Sequence, residues 1–357
     1  MTSSTKSKSK SKKKRKQSSS SLLSRRHRQS ISTTAKNSTS SSIPTPTSAS
    51  TSSTNPLPSK LSRALIRSHH TTQKRLSQAI QQNDTNAISE LTSELTSSGG
   101  LEAYQRASVS GQSSKRGGDS SKILVDWFAE LGVPKPKAKH TSTSKGSSGN
   151  GNGNDDTLSR YRLLEIGCLS PTNAIHTYFP SSRRTLMDLN SLHPDEILKQ
   201  DFMKFPVPKN ADNGYDIISC SLVLNYVPTP AGRGEMLEHI TSFMEQALER
   251  RQRRRSAAAA KDSKNKEKED NWTSNFPSLF LVLPAPCVTN SRYLTEDRLQ
   301  EIMVSMGYEL VKRKLSPKLV YYLWKYIGGS SGVRNTKFRK TELLPGGKRN
   351  NFAIVVE

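Results

Sequence analysis

Residues 161–175 read YRLLEIGCLSPTNAI. Arg162–Ile166 is a short, largely apolar run that ends in a single glycine, Gly167, followed by a Ser/Pro/Thr/Asn stretch. It reads as a strand that either feeds a ligand-cradling loop or simply turns. Thr185–Leu189 and Tyr215–Leu224 have the same strand character, as does Ser278–Pro284. Between them Ala231–Glu249 predicts a helix that buries Met236, Leu237, Ile240, Phe243, Met244 and Leu248. Thr295–Met306 predicts another, stopped by Gly307, and Tyr308–Tyr326 and Asn351–Val356 supply late strands. Strands alternating with helices predict an α/β fold, an open and mostly parallel sheet with helices on both faces. The late strands, with the chain ending in one, predict an antiparallel edge.

In such sheets the ligand lies at the carboxyl ends of the first strands. Asp188 ends the second strand, 21 residues after Gly167 (188 − 167). An acid about 20 residues beyond a glycine turn is placed to accept hydrogen bonds from ribose hydroxyls, while the glycine admits close backbone approach. Gly-Cys-Leu-Ser-Pro-Thr lacks the glycine pattern that seats a pyrophosphate on a helix N-terminus. S-adenosyl-L-methionine carries no phosphate, and Glu165 in Leu-Glu-Ile-Gly suits a methyltransferase first motif. Asp201, after the second strand, is either a group near the adenine or a turn cap. The third strand ends in Asn225-Tyr226-Val227-Pro228. An amide there can bond the exocyclic amine of a flipped base and an aromatic can stack on it.

The charge of the chain is uneven. Of 357 residues, 55 are Lys or Arg and 30 Asp or Glu, a net charge of +25. No acid precedes Asp84, and residues 1–83 hold seventeen basic side chains, leaving +8 (25 − 17) for the rest. A basic tail suits a polyanion, because Lys and Arg release counterions condensed on nucleic acid. Residues 1–60 are Ser/Thr/Lys/Pro-rich and predict a disordered basic tail, in which Lys10–Lys16 is a nuclear-import type of run. Residues 61–134 predict a helical N-terminal extension, with Leu61, Leu65, Leu76, Ile80, Ile88, Leu91 and Leu95 at three-to-four spacings and Ser120-Ser121 capping its last helix. Residues 135–157 read as a flexible linker, 158–357 as the cofactor-binding domain, and 250–274 as a polar insertion, or at first a continuation of the preceding helix, opening with the arginine cluster Arg250–Arg255. That cluster reads as a phosphate-contacting surface or a solvated helix end. Cys168, Cys220 and Cys287 show no zinc spacing and read as reduced core thiols; His69-His70 reads as solvated. Neither a metal nor a membrane span is expected.

The blocks GLEAYQRASVSGQ, RGGDSSK, LLEIGCLSP, MDLN, DFMKFPVP and YDIISCSLVLNYVPTPAGRGEML resemble the fungal 25S rRNA adenine-N1 methyltransferase family. The likeness covers roughly residues 99–357 apart from the linker and the insertion. It implies a Rossmann-like class I methyltransferase that uses S-adenosyl-L-methionine to form N1-methyladenine in large-subunit rRNA or a pre-ribosomal particle, in the nucleolus of the nucleus. It also implies cofactor binding at Gly167 and Asp188, with Asp201 a further position. Base orientation by Asn225 and stacking by Tyr226 complete the expected site. The same fold includes an animal relative that resembles a nutrient-signalling S-adenosylmethionine sensor, so a binding protein without methyl transfer is the alternative. A purely structural ribosome-assembly factor is a third reading, and a monomer is expected.

Overall fold

The computed structural model describes residues 58–111, 118–135, 160–260, 271–329 and 336–357. The basic tail with Lys10–Lys16, all of the linker beyond Lys135 and residues 261–270 of the insertion lie outside the described residues. In chain order the elements are α1 (Ser59–Gln81), α2 (Thr85–Ser97), α3 (Gly100–Gly111), α4 (Ser121–Glu130), β1 (Leu163–Ile166), β2 (Arg184–Asp188), β3 (Leu198–Lys199), β4 (Ile217–Ser221), α5 (Pro230–Ala260), β5 (Ser278–Pro284), α6 (Pro286–Thr289), α7 (Glu296–Ser305), β6 (Tyr308–Leu315) and β7 (Leu319–Tyr326).

One seven-stranded sheet runs in the order β3-β2-β1-β4-β5-β7-β6. The first five strands of that order are parallel, and β7 pairs antiparallel with both β5 and β6. All four residues of β1 and six of the seven in β5 are buried, as expected of strands covered on both faces. On one face Leu164, Ile166, Ile218 and Leu281 meet Leu237, Ile240 and Phe243 of α5 and Leu299 and Ile302 of α7. On the other, Leu163, Ile217 and Phe280 meet Leu124, Trp127 and Phe128 of α4. The expected α/β fold of Rossmann-like, class I methyltransferase type is the one observed.

Four details differ from the sequence reading. The apolar run 351–356 does not join the sheet. Phe338 and Val356 form an isolated bridge, and the antiparallel edge is the β6–β7 hairpin alone. Helix α4 is part of the sandwich rather than of an extension, and Asp119 caps it: its carboxylate accepts from Ser121 N at 2.8 Å and from Ala174 N at 2.6 Å. Ser120 instead shares a 2.7 Å hydroxyl bond with Ser221 at the end of β4. The buried face of α1 is Ser62, His69, Thr72 and Ala79, with Leu65 and Leu76 half-buried, while Leu61 and Ile80 are exposed. Thr72 is accommodated because its hydroxyl donates to Glu94 of α2 at 2.9 Å.

Helix α5 continues through the arginine cluster to Ala260, as one reading of the insertion had it, but the first arginines of the cluster are not solvated. Arg250 is buried and donates to Asp216 and, at 2.9 Å, to the Gly214 carbonyl. Arg251 donates to the carbonyls of Thr273 and, at 2.7 Å, Phe276. These partners precede β4 and β5, so the cluster lies at the amino edge of the sheet. Among the described residues no helix is long and apolar enough to cross a membrane.

Candidate active site

At the end of β1, Gly167 turns the chain with φ +74°, a conformation that glycine adopts without steric cost. Its N–H and that of Cys168 both donate to the Met187 carbonyl, at 2.8 and 2.9 Å, so the loop leaves β1 while staying tied to β2. A side chain on Gly167 would run into Val223, which belongs to the loop after β4. That loop begins with Leu222 at φ 57°, a left-handed conformation that is costly for a leucine. The turn throws Val223 and the 3₁₀ segment Leu224–Tyr226 across the mouth of β1. The carboxyl ends of β1, β2 and β4 thus bring together Gly167, Asp188, Asn225 and Tyr226.

Glu165 points into the loop rather than outward. It is buried and accepts from Asn173 Nδ2 at 2.8 Å and from His176 Nε2, while His176 Nδ1 faces the Pro171 carbonyl at 2.8 Å. Burial draws the His176 pKa down, and the Glu165 carboxylate beside it more than reverses this, so the net shift is upward. Glu165, Cys168 and His176 offer ligand atoms within 4.8 Å of one another. Their arrangement is accounted for by these hydrogen bonds, which hold the 167–173 loop in shape.

Asp188 ends β2 with its pKa raised by burial, against the lowering bond from Asn190 N. Its Oδ1 accepts from Asn190 N at 3.0 Å and from Gln105 Nε2 at 3.1 Å. Its Oδ2 has no partner among the described residues, which leaves an acceptor for a hydroxyl. Asn190 Nδ2 donates back to Gln105 Oε1 at 2.8 Å, so an amide from α3 spans the end of β2. Asp201 caps the 3₁₀ turn Phe202–Lys204, its carboxylate accepting from Met203 N at 3.0 Å.

Around Tyr226 the sequence reading missed a cluster of rings. His70 of α1 stacks on Tyr226 with centroids 4.1 Å apart and planes at 13°. His69 stacks on Tyr104 of α3 at 4.7 Å, and Tyr104 meets Tyr226 edge-on at 5.7 Å. His69 is buried, so the pair read as solvated is part of an aromatic seam between α1, α3 and the loop after β4. Nothing local in the sequence marks it, because the stacked partners are 35 residues (104 − 69) and 156 residues (226 − 70) apart. Asn225 Oδ1, His69 Nε2 and His70 Nε2 are buried without a hydrogen-bond partner among the described residues. The Asn225 amide also bonds the Tyr226 hydroxyl, so its orphaned oxygen lies next to that tyrosine, where the amine of a base could donate to it.

Burial, reinforced by His69, lowers the His70 pKa from 6.5 to about 4. The folded chain therefore holds this imidazole neutral, while the unfolded chain protonates it below 6.5. Stability should be unaffected by His70 above that pH and fall as pH drops from 6.5 towards 4, by at most about 2–3 kcal/mol. Thermal melts of wild type and His70→Asn at several pH values check this. The variant should show a flatter acid limb, and an unchanged limb would mean His70 stays solvated.

Residues 89–354 match the family described as 25S rRNA (adenine(2142)-N(1))-methyltransferase, Bmt2. A Schizosaccharomyces pombe protein named 25S rRNA adenine-N(1) methyltransferase is 35% identical over 302 residues, covering 81% of this chain and 89% of the relative. A Saccharomyces cerevisiae protein named 25S rRNA (adenine(2142)-N(1))-methyltransferase is 30% identical over 227 residues. That match covers 64% of this chain and 51% of the relative, about half its length. A solved O-methyltransferase family 2 protein of Planctomyces limnophilus, in complex with apigenin, is 12% identical with a TM-score of 0.28, covering 64% of this chain and 70% of that chain. A likeness so distant adds nothing to the reading.

Proposed function

The chain belongs to the 25S rRNA adenine-N(1)-methyltransferase family, and from that membership we propose that it methylates N1 of an adenine in large-subunit rRNA, with S-adenosyl-L-methionine as donor, in the nucleolus. The observation that carries the reading is the orphaned Asn225 Oδ1 beside Tyr226, one strand from Gly167. The residues present fit the cofactor. Gly167 keeps the strand end open, Asp188 Oδ2 can take a ribose hydroxyl, and the loop offers no pyrophosphate cradle. Asp201 is assigned the weaker role near the adenine of the cofactor, beside its cap.

The cofactor supplies an electrophilic methyl group on a sulfonium sulfur. Adenine N1 is already a nucleophile with a lone pair, so no side chain needs to remove a proton before transfer. The work of the protein is then orientation and exclusion of water. Asn225 Oδ1 accepts from the exocyclic amine of the flipped base and so fixes where N1 points. Tyr226 provides the stacking face and a π-system beside the ring as it becomes cationic.

One observation favours a second reading, a cofactor-binding regulator that transfers nothing: His70 already covers a face of Tyr226. Incubation with methyl-labelled cofactor and unmodified large-subunit rRNA, followed by mapping of N1-methyladenine as a reverse-transcription stop, separates the two. Asn225→Ala and Tyr226→Ala are expected to lower kcat by about 10²–10³ while cofactor affinity changes little. Near wild-type turnover in both would remove the base-pocket assignment, and cofactor binding with no transfer by wild type would favour the regulator.

A further inference from the structure

Of the two readings of Arg250–Arg255, a phosphate-contacting surface or a solvated helix end, the first meets an obstacle: the structure sets that cluster at the edge away from the site. Arg250 and Arg251 are tied to Asp216, Gly214, Thr273 and Phe276, and Arg253 pairs with Glu249 one turn away. All of this lies at the amino ends of the strands, whereas Gly167, Asp188 and Tyr226 lie at the carboxyl ends. Any RNA strand that delivers a base to Tyr226 needs cations at the other edge.

Helix α1 supplies them. It contains no Asp or Glu, and Lys60, Arg63, Arg67 and Lys74 are all exposed. Their spacings of three, four and seven residues place all four on one stripe of the helix. Arg75 falls off the stripe and pairs with Glu94 at 3.6 Å. Over fourteen residues (74 − 60) the stripe extends about 21 Å, long enough to follow several phosphates of one strand. It also passes the pocket: His70 comes three residues after Arg67 and four before Lys74, and its ring lies on Tyr226. A phosphate track beside a base pocket is what extrusion of one nucleotide requires, since the flipped base stays tethered to the strand.

We propose that the outer stripe of α1, formed by Lys60, Arg63, Arg67 and Lys74, binds the phosphates of the RNA strand that presents the target adenine to Tyr226. This rests on the rRNA-methyltransferase reading above and names the surface that reading lacks. With rings 4.1 Å apart there is no space between His70 and Tyr226, so the arriving base takes the place of His70 on that tyrosine face.

The test uses the full chain and deproteinised, unmethylated large-subunit rRNA. A variant carrying Lys60→Gln, Arg63→Gln, Arg67→Gln and Lys74→Gln should bind that RNA at least about tenfold more weakly. The slope of log affinity against log salt should fall by roughly 3, at about 0.7 per single-strand phosphate contact. The basic tail is common to both proteins, so the difference in slope isolates α1. KM for rRNA should rise with kcat largely retained, and affinity for S-adenosyl-L-methionine should be unchanged. A control with Arg253→Gln, Arg254→Gln and Arg255→Gln should keep the wild-type slope. An unchanged slope in the α1 variant overturns the proposal, as does a control that accounts for the loss, or an α1 stripe that matters only for an acidic protein partner. Wild type that binds rRNA through α1 but transfers no methyl group would sink the functional reading and leave the α1 surface standing.

Discussion

Gly167→Arg is expected to bring binding of S-adenosyl-L-methionine below detection, a loss of at least about a thousandfold or roughly 4 kcal/mol. Two independent effects combine. The backbone at φ +74° disfavours any side chain by about 1–2 kcal/mol. A Cβ there also meets Val223, two residues before Asn225, so the base-pocket loop must shift with it. The guanidinium would then lie at the strand end with a charge of the same sign as the sulfonium. Gly167→Ala tests the steric part alone and should weaken binding by an intermediate factor, about 10–100-fold. Asp188→Ala should lose about 1.5–3 kcal/mol through the missing ribose acceptor, and it also removes one of the bonds that hold Gln105 at the end of β2, those to Asn190 remaining. Equilibrium dialysis with labelled cofactor reads all three, with circular dichroism to check folding. Undisturbed binding by both Gly167→Arg and Asp188→Ala would dismiss this site.

What the sequence made legible was the part written in continuous local signals. Ser278–Pro284 is a run of apolar residues buried on both sides, and it folds over the range the pattern predicts. The register of Gly167 and Asp188 was likewise readable, because strand length and crossover length in a parallel sheet constrain that distance. What was not legible came from polar residues turned inward. Ser62, His69 and Thr72 occupy the buried face of α1, where an apolar periodicity has no means of pointing to them. Their partners Tyr104 and Glu94 sit on other helices, so only the tertiary fold explains why they are inside. Arg250 misled for the same reason, since a basic run reads as solvated unless its acid is seen. That acid, Asp216, lies 34 residues earlier (250 − 216), just ahead of β4. The signal that could have found the seam was Tyr104-Gln105 within the GLEAYQRAS block, an aromatic and an amide with no local role.

Arg250→Ala is expected to cost about 3–5 kcal/mol of folding stability, the range for breaking a buried ion pair by removing one partner. Both side chains are nearly inaccessible, at 5% and 9% exposure. Without the guanidinium, the Asp216 carboxylate keeps the Arg162 N–H at 2.9 Å and the charge of Arg254, and the Asp212 and Gly214 carbonyls lose a donor. The damage is concentrated where β1 and β4 begin, because Arg162 leads into one and Asp216 into the other. Arg253→Ala, three residues along the same helix, removes only an exposed i,i+4 pair and should cost less than about 0.5 kcal/mol. Replacing both partners, Arg250→Met with Asp216→Leu, should recover part of the loss, because no uncompensated carboxylate then remains inside. Urea denaturation curves measure all three, and equal midpoints for Arg250→Ala and Arg253→Ala would mean that Arg250 is solvated after all. Because this edge is opposite the site, Arg250→Ala well below its melting temperature should keep the cofactor affinity and rRNA KM of wild type. A changed KM under those conditions would mean that the amino edge of the sheet also touches the RNA.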